Sequence, residues 1–331
     1  MKELKMFDPT PPMDRSMLDV AVGPHCRLGT GLAEIYQRWV IALVPAMAAS
    51  LYLFGAASFR VFGLCVCFSV AFDFICEKFA PSRDLTSNWS SVSLALILAF
   101  MLPLNAPWWL IMIGCLLMVV VGKKFFGGVG AYPVQPAVLA VAVMQLSWPE
   151  RMDYTAALKN FDWSVTMIEP LRLAKSIGSM AADQYEWYDL LFGYQVSGTA
   201  CGMVFFILIG GLLLLLMREI QWHAPVGFFI GFTASAGLLH MLDPLTFGSP
   251  LFYLLSGGTV FMGLFLITDH TTTPVNNTPL FIYGLFAGML LVLIRGYSRH
   301  VDGIAYTVLL VNLCAPLLDM IRPKTKGASH V

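Results

Sequence analysis

The chain has 331 residues, of which 58% are hydrophobic and only 12% charged, with 20 basic side chains against 20 acidic ones and a mean hydropathy of +0.74. Soluble domains carry about 25% charged residues, so this composition excludes an ordinary cytosolic enzyme. Without a surplus of Lys and Arg it also excludes nucleic acid as a main partner. The chain reads as an all-α integral membrane protein in contact with the lipid bilayer.

Residues 1–34 are polar and hold Pro9, Pro11, Pro12 and Pro24 without a short apolar stretch ending at a small-residue cleavage site, so no cleaved signal peptide is expected. A bilayer core of about 30 Å needs about 20 apolar residues per helix, fewer where a helix is broken. Ten such runs follow. The first five lie at about 35–55, 59–79, 91–104, 107–122 and 136–148, and the second five at about 200–217, 224–242, 251–267, 280–295 and 303–321. Between them lies a polar stretch, 149–199, and after them a short tail, 322–331.

Ten crossings place both termini on one side. The terminus side carries 13 Lys and Arg in short loops (among them Lys2, Arg38, Lys78, Lys123, Lys124, Arg218 and Lys324) against 3 on the other, Arg60, Arg295 and Arg299. The positive-inside rule then puts the termini in the cytoplasm and the 149–199 stretch outside. The two groups repeat in pattern. An apolar run ends at Met101-Leu102-Pro103, a helix follows to Lys123-Lys124, and a Gly-rich turn, FFGGVGAYPVQPA (125–137), opens a short helix. In the second group a run ends at Thr268-Asp269-His270, a helix follows to Arg295, and GYSRHVDGIA (296–305) opens the last helix. Five being odd, the halves must face opposite ways, as in the inverted repeats of transport folds, where short or broken helices meet around a site. The expected domains are residues 1–34, a five-helix repeat over 35–148, an outer loop over 149–199, a second repeat over 200–321, and the tail.

Charged side chains inside spans are costly and mark function or pairing. Asp73 lies well inside the second span, with Glu77 one helical turn on. Asp73 is the candidate for an ion pathway, and Glu77-Lys78 equally suits a span end. His240, Asp243, Asp269, His270 and Asp319 close their spans and read first as boundary residues. Gly127, Gly128 and Gly130 would let backbone N–H groups approach a phosphate or flat cofactor, outside any Walker or Rossmann context. The seven cysteines show no CxxC spacing and read as small apolar residues; no catalytic triad or metal set is visible.

GGVGAYPVQPAVLA (127–140) resembles the GG-x-G-x-x-P-x-x-P-A turn of the RnfD/NqrB family of electron-transport complex membrane subunits. VGPH (22–25), FLITDHTTTP (265–274) and HVDGIAYTVLLVNLCAPLLD (300–319) resemble three further stretches of that family in the same order. The resemblance implies a bacterial inner-membrane subunit of a complex that moves electrons between NADH and ferredoxin, or NADH and quinone, coupled to Na+ or H+ translocation, with other membrane and peripheral subunits as partners. It implies FMN joined through its phosphate to a threonine in an outer-face (S/T)GAT-P-L motif. This sequence departs there: gap-free alignment on EPLRLAK (169–175) puts Glu169 at that threonine, Thr166 serves only if the loop is three residues longer, and Thr199 in SGTACG aligns with another turn. The degenerate motif argues against covalent attachment, and a carboxylate at Glu169 would repel the phosphate. A flavin pocket is expected between the halves, formed by Gly127, Gly128, Gly130 and Pro136 with Thr268 and Asp269. Two other functions fit the same helices: a small-solute or ion transporter, and a flavin-free, ion-conducting docking subunit.

Overall fold

Gly31 opens the first helix, and the computed structural model describes residues 31–79, 89–154 and 168–321. Thr166, the VGPH stretch and the tail lie outside them. The described residues form helices without strands. Helix α1 (Leu32–Phe54) and α2 (Ala56–Phe79) are joined by Gly55 alone, whose φ of 56° and ψ of −130° suit only a residue without Cβ. Then come α3 (Trp89–Met101), α4 (Trp108–Leu116, continued by π-helical turns over Leu117–Lys124) and α5 (Pro136–Ser147). The polar stretch carries α6 (Pro170–Ile177) and α7 (Trp187–Phe192). The remaining helices are α8 (Val204–Leu216), α9 (His223–Leu242), α10 (Pro250–Leu255), α11 (Thr259–Phe261, continued to Leu266), α12 (Asn277–Tyr297) and α13 (Ile304–Asp319).

Helices α1, α2, α9 and α12 are long and apolar enough to cross a membrane, and α3, α5, α8 and α13 are shorter apolar helices. Large apolar side chains such as Tyr52, Phe59, Phe74, Leu212, Leu238 and Leu313 face outward, as a bilayer requires and water would penalise. The protein is a multi-pass membrane protein. The expected single run over 251–267 is two helices, because Ser256 leaves helical geometry and Gly257 turns with φ of 65°.

Helix α3 is the centre. Its residues WSSVSLALILAFM are apolar or small on every side, and nearly all are buried. At 1.5 Å per residue it is about 20 Å long, too short to span alone, so its last carbonyls need partners. The turn at 199–201 supplies them: the Thr199 N–H donates to Leu102 O at 2.8 Å, and the Ala200 and Cys201 N–H groups to Phe100 O at 3.3 Å. Gln195 holds the other break. Its amide nitrogen donates to the carbonyls of Leu190, Gly202 and Leu255, and its oxygen accepts from Gly257 N at 2.9 Å. Arg295, buried at 4% exposure, reaches Tyr253 O, Thr259 Oγ1 and the Asp302 carboxylate.

The longest seam joins α9 and α12. Gly227 and Gly231 on α9 face Gly284 and Gly288 on α12, and a Cβ at any of them would meet backbone of the other helix within 2.5 Å. The contacts advance together along both chains, so these helices run in the same direction. The four-residue glycine spacing brings their backbones together where hydrophobic force is unavailable.

Candidate functional site

Asp269 sits in the break after Leu266, at 8% exposure, beside the start of α1. Thr271 Oγ1 donates to its carboxylate at 2.8 Å, while Thr268 Oγ1 and Thr273 Oγ1 are spent on the Leu264 and Asp269 carbonyls. Tyr36, Tyr132 and Tyr283 lie within electrostatic reach of the carboxylate. Near it, Trp39 Nε1 and Thr272 Oγ1 are buried and make no hydrogen bond among the described residues. Protein interiors satisfy such groups, so these two atoms are available to water or another polar partner. A cavity of about 180 Å³ bounded by Gln221, Thr268, His270 and Thr273 adjoins this region.

From Asp269 an aromatic series crosses the interior. His270 packs on Trp39, Trp39 on Phe265, Phe265 on Phe261, Phe261 on Phe100 and Phe100 on Phe62, with centroids 5.3–6.2 Å apart. The series links α1, α2 and α3 to the broken helix.

The Gly-rich turn is occupied by its own helix. Gly127 (φ 105°) and Gly128 (φ 96°) point their N–H groups back at the carbonyls of Lys124 and Lys123, both at 3.1 Å, closing the C-terminus of α4. These donors are spent, and a helix C-terminus presents negative potential. Pro136 starts α5 and packs on Gly122, where a Cβ would lie 2.7 Å from the proline ring. Tyr132 from the same turn lies within reach of Asp269.

Asp73 is 1% exposed and fully engaged. Lys123 Nζ lies 3.3 Å and Lys124 Nζ 3.2 Å from its carboxylate, and Ser91 Oγ donates to it at 2.8 Å. Lys123, itself 1% exposed, also donates to Ser90 and Ser91. Glu77 is more open and 3.7 Å from Lys124. Two ammonium groups stand where a metal cation would approach Asp73.

Glu169 lies elsewhere, between α6 and the turn before α13. It is 4% exposed and borders a cavity of about 360 Å³ with Asp153, Tyr154, Arg172, His300 and Asp302. Burial, reinforced by the Asp302 carboxylate and opposed by Arg172, raises its carboxyl to about 8. Glu169 has no hydroxyl for a phosphoester, and three further carboxylates, Glu150, Asp153 and Asp302, border the same space. These residues do not fit the phosphate of FMN. Thr199 is fully buried with its hydroxyl donating to Leu102 O at 2.7 Å, so it presents no free attachment point.

Residue spacing alone did not expose Lys123, Gln195, Arg295 or Tyr132, because each acts across the fold. Among the described residues no group of His, Cys, Asp and Glu is arranged to hold a metal ion. His240, Asp243 and Asp319 serve local structure: His240 contacts Phe247 O, Asp243 accepts from Leu245 and Thr246, and Asp319 from Val275.

The NQR2, RnfD, RnfE family model matches residues 19–327. The D component of the Na(+)-translocating ferredoxin:NAD(+) oxidoreductase complex of Acetobacterium woodii is 32% identical over 309 residues, covering 93% of this chain and 94% of its own. The D component of an ion-translocating oxidoreductase complex of Vibrio cholerae is 30% identical over 346 residues, covering 93% and 99%. Its counterpart in Ectopseudomonas mendocina is 31% identical over 326 residues, covering 92% and 94%. On this match, sustained through the Gly-rich turn, the Thr268-Asp269 break and the last helix, the chain belongs to the NQR2, RnfD, RnfE family.

Proposed function

We propose that the protein is the RnfD-type membrane subunit of an Rnf-type complex, coupling electron transfer between NADH and ferredoxin to translocation of Na+ or H+ across a bacterial inner membrane. The observation that carries this is the 32% and 30% identity, over 93% of the chain, to subunits named for ferredoxin:NAD+ and ion-translocating oxidoreductase complexes. Other membrane and peripheral subunits hold the sites for NADH and ferredoxin.

In this reading the chain crosses ten times, with both termini cytoplasmic and two inverted halves. The pairing of helices supports the repeat. In the first half α2 and α4 run the same way, Cys65 meeting Cys115 and Asp73 meeting Lys123, as α9 and α12 do in the second. The third span of each half is short or broken. The ion enters at the cytoplasmic end through the Thr268–His270 cavity, reaches Asp269 and its unpaired polar neighbours, and is restricted beyond by Phe265, Phe261 and Phe100. Asp73 relays charge beside this route, compensated by Lys123 and Lys124, and does not itself coordinate Na+. The residues around Glu169 and the Gly-rich turn favour a subunit without covalent FMN, and no flavin step is assigned to it.

The test is reconstitution of the whole complex in proteoliposomes, driven by reduced ferredoxin and NAD+, with Na+ uptake and lumenal pH both followed. Asp269→Asn should abolish most coupled ion uptake while the complex still assembles, and Asp73→Asn should lower it less. Native transport by Asp269→Asn would remove that carboxylate from the route. Recovery of the chain as a lone oligomer that moves solute would overturn the subunit reading, and an FMN-phosphoryl mass on the intact chain would overturn the flavin-free one.

A further inference from the structure

The cavity at Glu169 is separate from the Asp269 region, at the end of the bundle where α1 stops. It is held there by Tyr154, whose hydroxyl donates to Met101 O at 2.8 Å, and by Leu171, which packs on Gly257. Three carboxylates converge on it from three elements: Asp153 after α5, Glu169 before α6 and Asp302 before α13. Two of the arginines hydrogen-bond to the other two acids. Arg172 places Nη1 and Nη2 on the two oxygens of Asp153 at 3.0 and 2.9 Å, and Arg295 donates to the Asp302 carboxylate. Lys175 is spent on the carbonyls of Ser298 and His300.

Glu169 is therefore the buried acid with the weakest pairing, a long ion pair to Arg172. Among the described residues its carboxyl group makes no hydrogen bond, and its nearest cation, Arg172 Nε, stands 3.6 Å away, itself without a hydrogen-bond partner. An ionised carboxylate so placed is penalised by desolvation and by the adjacent acids, whereas its neutral form is not. The cavity gives water a path to it. Tyr185 donates to Ile168 O, which fixes the segment carrying Glu169 and leaves the carboxyl free to exchange. Glu150, Arg299 and His300 line the cavity further out, and the His300 ring packs on Tyr306 with centroids 4.2 Å apart.

We propose that Glu169 is a proton-binding site, neutral at physiological pH, which exchanges its proton with water in this cavity. On release the O–H bond breaks, its electron pair stays on the carboxylate, and the proton passes to a cavity water. The ionised Glu169 then competes with Asp153 for Arg172, so the proton also sets how tightly the 148–154 segment is held to α6. That the cavity opens to the outer aqueous phase rests on the topology proposed above; the proton site itself does not.

The test is infrared titration of the full chain in detergent between pH 5 and 10, following the C=O stretch of protonated carboxylic acids. Wild type should lose one such band with a midpoint near 8, the band should shift promptly in D2O, and Glu169→Gln should lack it. Asp302→Asn should lower the midpoint by about one unit or more, because it removes a like charge, and Arg172→Gln should raise it. These opposite shifts test the assignment even if Glu169→Gln folds poorly. Persistence in Glu169→Gln of the band that titrates near 8 in wild type, or a Glu169 midpoint in the ordinary carboxylate range, would overturn the proposal. Failure of the titration leaves the Rnf-type reading standing, and a lone, solute-moving chain with an intact titration would overturn that reading alone.

Discussion

Gly288→Ala adds one methyl group within the close-packed α9–α12 seam, 2.3 Å from Phe228 O and 2.5 Å from Phe232 N. Both neighbours are backbone and cannot rotate away. Ordinary contacts need about 3.5 Å, so the two helices must part by about 1 Å. A gap of 0.5–1 Å forfeits about a quarter to a half of each contact's dispersion energy, and overpacking of this kind costs about 1–3 kcal/mol. The gain in helix propensity of Ala over Gly offsets up to about 1 kcal/mol, leaving a net loss of about 1–2 kcal/mol and a fall in thermal midpoint of several degrees in detergent. Gly63→Ala on α2 is the control, since a Cβ there meets nothing within 4 Å, and it should be neutral or slightly stabilising. Adding Gly231→Ala, whose Cβ would meet Leu285 O at 2.3 Å, should cost less in the already parted pair than alone, because the two sites share one separation. Thermal scans by size-exclusion chromatography or intrinsic Trp fluorescence read wild type and all four variants. Equal midpoints for Gly288→Ala and Gly63→Ala would refute the close-packing argument.

Three further outcomes follow from the polar interior. Lys123→Met leaves Asp73 with Lys124 and should destabilise the chain by about 3 kcal/mol, whereas pairing it with Asp73→Leu should recover part of the loss, since a removed pair costs less than a broken one; a double variant no better than the single would contradict this. Gln195→Leu strands three carbonyls and the Gly257 N–H, at about 1 kcal/mol or more each, and proteolysis within 250–258 should rise with the loss of stability. Because the Glu169 carboxyl is raised from 4.5 to about 8 in the folded chain, the unfolded chain binds fewer protons between those values. Its contribution to stability is full below about pH 4.5 and is lost as pH rises through about 8, at a slope of up to about 1.4 kcal/mol per pH unit. Thermal midpoints of wild type should therefore fall relative to Glu169→Gln from pH 5 to 8, and parallel curves would count against a buried neutral acid.

The division between sequence and fold can be followed residue by residue. Hydropathy found α1 and α2 to within a few residues, because a long apolar run in a chain with so few charges has one economical destination. It found the Thr268-Asp269 break as well, since a polar run that stops an apolar helix has to be paired or hydrated. It read 251–267 as one run, for Ser256 and Gly257 are only a weak local signal and the break depends on Gln195, some 60 positions away. The glycines at 227, 231, 284 and 288 were not singled out, because a four-residue spacing within one helix does not name its partner helix.

Charge showed the same limit at closer range. Asp73 was legible as a buried acid; that Lys123 and Lys124 neutralise it was not, because a pairing across 50 positions leaves no local pattern. At Gly127 and Gly128 residue type announced backbone freedom, and only the fold showed that freedom used to cap α4 and not to cradle an anion. At Glu169 the sequence supplied a carboxylate where the resemblance led one to expect a threonine. The tertiary structure gave it neighbouring acids, arginines already engaged and a cavity, and those surroundings decide when it holds its proton. Composition and periodicity act through each residue's own transfer free energy, so they determine that this chain enters a membrane and where its helices run. Pairing, packing and protonation depend on what lies a few ångströms away through space, and for those the fold had to bring distant residues together.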